Sequence, residues 1–194
     1  AYKISYRNLR APRIEYKKKC GLMPNRPACT GSTKHVAVIG FGNIGSGIIE
    51  LLLTKKHPEL ELRKVVVKHI DKERPIPLPK DSMTDNVDEV LNDPQIDIIV
   101  EVMGGLEPAK SILIHSLKNG KHVVTANKAL IATHGKEIFR EALKFGCTVG
   151  IRGTFVGCFP LLHDLSARLQ EGRIRNMVAI LNGTTNFILS RMTH

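Results

Sequence analysis

Three glycines spaced Gly40-x-Gly42-x-x-Gly45 stand between a short apolar run, His35-Val36-Ala37-Val38-Ile39, and Ile48, Ile49, Leu51 and Leu52 at helical spacing. This order predicts a strand, a tight turn and a helix, the context in which the pattern binds a dinucleotide. Gly40 permits the turn, Gly42 removes the Cβ that would block a pyrophosphate, and Gly45 lets the helix approach the strand. Phosphate oxygens would then meet the unpaired N–H groups of Phe41, Asn43 and Ile44 at the positive helix end. The other reading of such a turn is packing alone.

A second strand is predicted over Leu62–Ile70, and its end should present the group that reads the adenosine ribose. A carboxylate there bonds a 2′-hydroxyl and repels a 2′-phosphate. This chain offers Lys68, His69, Asp71 and Arg74, a mixed field that leans positive, so NADP fits at least as well as NAD. A short helix is expected over Asn86–Asn92 and a buried strand over Ile96–Met103, which ends at Gly104-Gly105. A helix follows from Glu107-Pro108-Ala109 to Asn119-Gly120, then a strand at His122-Val123-Val124. Alternating strands and helices imply a Rossmann-type, doubly wound parallel α/β sheet with ligands at the carboxyl ends of its strands. Gly40–Gly45, Gly104-Gly105 and the stretch from Thr125 through Asn127 to Lys128 all fall at such ends, which predicts one cleft.

The 194 residues carry 29 Lys and Arg against 18 Asp and Glu, a net charge of +11. Residues 1–34 hold nine of the cations and one acid, so +8 of that charge belongs to the leader and +3 to residues 35–194. All three tyrosines also lie there. Aromatics among cations can engage nucleic acid or an acidic protein, whereas a solvated tail or the remnant of a targeting peptide is the plainer reading. The expectation taken is a protein partner over residues 1–34, with nucleic acid as the less favoured one. No apolar run approaches the roughly 20 residues a bilayer span requires. Four cysteines, at 20, 29, 147 and 158, form no dense framework, so a reducing interior is the default. An Arg-rich, acid-poor leader without an initiator Met points to an organelle matrix such as a plastid stroma, with the cytoplasm as alternative.

Five blocks of the chain, in order, resemble homoserine dehydrogenase of the monofunctional type. They are Val38–Gly47, Val100–Ala109, Gly120–Leu130, Gly157–Leu162 and Ile180–Leu189. The resemblance implies reversible, nicotinamide-dependent interconversion of homoserine and aspartate 4-semialdehyde. By position, Lys128 in Thr125-Ala126-Asn127-Lys128 matches the family's active-site lysine, and Asn182-Gly183-Thr184-Thr185 matches the turn lining the substrate site. The alternatives are a solvated lysine after a strand and a helix N-cap.

Two departures from the family shape the expectation. The family carries a glutamate associated with a monovalent-cation site where this chain has Arg152, which cannot ligate a cation, so no bound metal is expected. Family members also run further, through a substrate and dimerisation domain. The reading is therefore a basic extension at 1–34, a dinucleotide-binding domain at 35–150, and at 151–194 the truncated start of a second α/β domain, with a helix over Pro160–Gln170 and a strand over Arg175–Leu181. Nucleotide binding is expected of this chain and turnover by it alone is not. The competing reading is a non-catalytic structural subunit of a larger assembly, derived from a dehydrogenase domain, whose truncated part is covered by a partner.

Overall fold

A computed structural model of the chain describes residues 33–54, 56–154 and 183–192. The basic extension up to residue 32, the helix and strand expected within 155–182, and Cys20, Cys29, Cys158 and Asn182 lie outside the described residues.

The compact unit Ser32–Gly157 is built on six parallel strands. In chain order these are β1 (Lys34–Ile39), β2 (Leu60–Val66), β3 (Met83–Thr84), β4 (Ile98–Glu101), β5 (His122–Thr125) and β6 (Val149–Gly150). Their spatial order is β3-β2-β1-β4-β5-β6, with every pairing parallel. Helices α1 (Asn43–Leu53), α2 (Val87–Asn92), α3 (Ala109–Lys118) and α4 (Lys128–Phe145) connect them. A further helix, α5 (Gly183–Met192), belongs to a separate unit. No described helix is long and apolar enough to cross a membrane.

β1 lies at the centre, and its side chains alternate between the two sheet faces. Val36 and Val38 join Ile49, Val65 and Val100 in one core layer, with Ile48 and Leu52 of α1 packed against it. Ala37 and Ile39 join the other layer, with Val90 and Leu91 of α2, Leu113 and Leu117 of α3, and Leu130 and Ile138 of α4. Both faces of β1 are therefore covered, as a parallel sheet requires, and each fully buried Val, Leu or Ile contributes roughly 1.5–3 kcal/mol. Cys147 is buried in the second layer.

Element ends differ from the sequence expectation where pairing decides them. The strand expected over Leu62–Ile70 runs Leu60–Val66, because β1 pairs with it only as far as Ile39 opposite Val66. The N–H of Gly40 then bonds the Val66 carbonyl at 3.0 Å, and the N–H of Val67 bonds Thr84 of the two-residue β3 at 2.9 Å. Lys68 and His69 therefore leave the sheet. The strand expected over Ile96–Met103 is confined to Ile98–Glu101, since the N–H of Ile96 is taken by a turn to Asp93. β5 runs one residue beyond the expected His122–Val124, to Thr125. The short helix begins at Val87 because the Asn86 side chain caps it, accepting from the N–H of Asp88 at 3.0 Å.

Candidate nucleotide-binding site

β1, β4 and β5 end together: Ile39 pairs with Glu101, and Glu101 with Thr125. Three loops leave this common edge, Gly40–Gly42, Val102–Pro108 and Ala126-Asn127, so the segments expected to line one cleft start from one row of strand ends.

The glycine turn is specified by contact distances. Gly40 has φ +110°, and a Cβ there would stand 2.8 Å from the Val102 carbonyl oxygen. A Cβ on Gly45 would stand 2.2 Å from the Gly40 carbonyl oxygen. Gly42 differs, since a Cβ on it would meet nothing within 4 Å. Its openness marks the side from which a ligand can reach the backbone. Gly42 is also the N-cap of α1 and supplies no side-chain cap, and the first turn of that helix holds no acidic residue. The amides of Asn43 and Ile44 thus keep the uncompensated positive end of the helix, an arrangement suited to an anionic diphosphate. Ile44 is exposed beside them.

The side chain of Phe41 has a part of its own beside the backbone N–H that the motif singles out. Its ring is buried in the layer with Val36, Val38 and Ile49, and the guanidinium of Arg74 lies 5.0 Å from the ring centroid. Arg74 donates from Nη1 to the Phe41 carbonyl at 3.5 Å and from Nη2 to the His69 carbonyl. Its Nε is buried with no hydrogen-bond partner among the described residues. An orphaned buried donor costs about 1–3 kcal/mol, so this arginine is incompletely satisfied by the protein alone. The side chains of Lys68 and His69 are exposed just beyond β2.

The other two loops are tied together from inside. Glu101, 0% exposed, accepts from the N–H groups of Met103 at 2.9 Å and Gly104 at 3.2 Å through Oε1, and from the Thr125 hydroxyl at 2.6 Å through Oε2. Thr125 Oγ1 in turn accepts from the N–H of Asn127 at 2.9 Å. Asn127 donates from Nδ2 to the Gly105 carbonyl and accepts from the N–H of Leu130 at 3.1 Å, capping α4. Thr125 and Asn127, expected to touch a cofactor, are 1% and 9% exposed, and their side chains are committed to this chain of bonds. They position the loops. Gly104 and Gly105 are exposed, each with φ +77°. Lys128 is the first residue of α4, directly after that cap, and is exposed.

Arg152 lies in a 3-10 turn, Arg152–Thr154, directly after β6. A Cβ on the adjacent Gly153 would stand 3.2 Å from the Ala126 Cβ, so this turn borders the loop that leads into Lys128. Gly183, Thr184 and Thr185 form the first turn of α5 in the separate unit. Glu101 and Arg74 are the groups that the sequence underweighted. A lone acid inside Ile98-Ile99-Val100-Glu101-Val102 was a signal for the first, whereas nothing local marks the contact between Arg74 and Phe41.

The model of the NAD-binding domain of homoserine dehydrogenase matches residues 40–151. The chain belongs to that family. Homoserine dehydrogenase of Bacillus subtilis (strain 168) is 39% identical over 164 residues, 81% of this chain and 38% of the relative. That of Synechocystis sp. is 40% identical over 166 residues, 83% of this chain and 38% of the relative. The crystal structure of a homoserine dehydrogenase from Thiobacillus denitrificans matches with a TM-score of 0.66 at 36% identity, covering 83% of this chain and 39% of that one. The chain thus spans about two-fifths of the length of these homoserine dehydrogenases, and the family match over residues 40–151 includes the whole glycine turn, the Glu101 network and Lys128.

Proposed function

We propose that this homoserine dehydrogenase NAD-binding domain holds NAD or NADP at Gly40–Gly45 and serves the interconversion of homoserine and aspartate 4-semialdehyde. The observation that carries the reading is the uncapped, acid-free N-terminus of α1 behind an open Gly42, with Gly40 and Gly45 each barred from carrying a side chain. Asn43 and Ile44 bind the diphosphate through their amides, and Gly42 leaves room for it.

The nicotinamide supplies the hydride when bound. This chain's residues orient and stabilise. Glu101, Thr125 and Asn127 fix Gly104-Gly105 and the start of α4 relative to each other. Lys128, exposed at that start, places a cation where an aldehyde oxygen gains charge as hydride arrives, and can hand that oxygen a proton.

Titration of the 194-residue chain with NADPH and NADH, followed by nicotinamide fluorescence, tests the nucleotide reading: saturable enhancement is expected. An assay of NADPH consumption with aspartate 4-semialdehyde tests the catalytic reading. Binding without consumption retains the first and removes the second from this chain, and absence of binding removes both.

A further inference from the structure

The row of strand ends has one corner that the diphosphate site and the Glu101 network do not use. Arg74 sits in the loop between β2 and β3, 33 residues from Phe41 in sequence, and its guanidinium spans the exits of β1 and β2 by bonding the carbonyls of Phe41 and His69. In a doubly wound sheet the adenosine ribose lies at this corner, next to the diphosphate turn. A site built for a bare 2′-hydroxyl presents a carboxylate there, and this chain places Lys68 and His69 at the end of β2 instead. The acids of the loop, Asp71, Glu73 and Asp81, are exposed.

Resting on the nucleotide reading above, we propose that Arg74 is the residue by which this site selects a nucleotide carrying a phosphate on the adenosine 2′ position. Lys68 and His69, exposed and without side-chain partners among the described residues, add screened charge only. Arg74 is different in three respects. Its guanidinium lies over the Phe41 ring, 5.0 Å from the centroid, and the two carbonyl bonds restrain its rotation. Those bonds also leave donors over, one of them the buried, unpartnered Nε. A planar fork of donors held in one orientation matches a phosphate monoester, which carries close to two negative charges at neutral pH. The same contact couples the selection to the diphosphate turn, since Phe41 lies between Gly40 and Gly42.

The test compares NADPH and NADH affinities of the full chain with those of Arg74→Gln, Arg74→Lys and Lys68→Ala, with circular dichroism melts to check folding. The wild-type chain is expected to bind NADPH about tenfold or more tighter than NADH, the worth of one or two charge-assisted bonds. Arg74→Gln should bring that ratio to about one, and Arg74→Lys should lower it several-fold because the charge survives without the fork. Lys68→Ala should change it less than about threefold. If Arg74→Gln does not fold, the Arg74→Lys ratio decides. A wild-type ratio near one, an unchanged ratio in the arginine variants, or a preference lost on Lys68→Ala instead would each overturn the proposal. A folded wild-type chain that binds neither nucleotide would overturn the nucleotide reading itself.

Discussion

Gly42 and Gly45 lie three residues apart in one turn, yet the same methyl group should have opposite consequences at them. At Gly45 the added carbon would stand 2.2 Å from a carbonyl oxygen, so Gly45→Ala must shift α1 against β1 and should cost about 1–3 kcal/mol in urea unfolding. At Gly42 it would meet open space, with φ −88° already suited to an L-residue. Gly42→Ala should leave stability within about 0.5 kcal/mol and weaken NADPH binding at least about tenfold by crowding the diphosphate. Similar stability losses for the two variants would refute the division of roles. The spacing of these glycines was legible in the sequence because a turn is a local object. The contact between Arg74 and Phe41 was not, since it depends on where a loop of 16 residues, 67–82, folds back. The burial of the Phe41 ring was equally illegible, because motif membership speaks for its backbone N–H and does not reveal which way a ring faces.

Among the elements, α4 and the loop after β4 are joined by side chains and should fail together. Asn127→Ala removes both the cap on α4 and the bond to Gly105, and should destabilise the chain by about 1–2 kcal/mol. Asn127→Asp keeps the cap acceptor while losing the donor to Gly105, so it should retain most of the stability, measured by chemical denaturation. Glu101→Ala should be worse than either, because the N–H groups of Met103 and Gly104 and the Thr125 hydroxyl all lose their acceptor, at about 1–3 kcal/mol for each donor left buried. Alternating apolar runs and glycines placed β1, β4 and β5 correctly, because buried central strands are written in Val and Ile. Two-residue strands such as Met83–Thr84 leave no period to read. The end of β2 also escaped the sequence, since hydrogen bonding to neighbours sets it and the apolar run does not.

Across the whole unit, the edge of the sheet opposite the glycine turn is fastened by charge. Lys34 bonds Asp97 at 2.8 Å, Arg63 bonds Asp93 at 2.7 Å, and the buried Lys121 donates to the Asp93 and Ile96 carbonyls. Burial alone would raise the Asp97 carboxyl, but the Lys34 hydrogen bond, the His35 N–H and the two neighbouring charges outweigh it and hold it below its ordinary 3.8. Asp93 is lowered in the same way by Arg63, the Gln95 N–H and Lys121. Both groups therefore stabilise the fold above the ordinary carboxylate range, and that stabilisation is lost as pH falls through their lowered values. Melts recorded from neutral pH downward should show Tm falling below about pH 4, and Asp97→Asn should reduce that slope. At neutral pH, NADPH at about 100 times its Kd should raise Tm by on the order of 5–10 °C. Parallel layering followed from alternating strands and helices, and the order β3-β2-β1-β4-β5-β6 is that of the Rossmann-type sheet the glycine motif pointed to, although the crossovers themselves leave no local trace.

The carboxylate of Glu101 also bears on solvent exchange. Met103 and Gly104 stand at the surface, where backbone protons normally swap for deuterium quickly, yet both of their amides point inward to a sealed acceptor. Isotope labelling should find these two positions protected far beyond their surface location, and Glu101→Ala should release them at once.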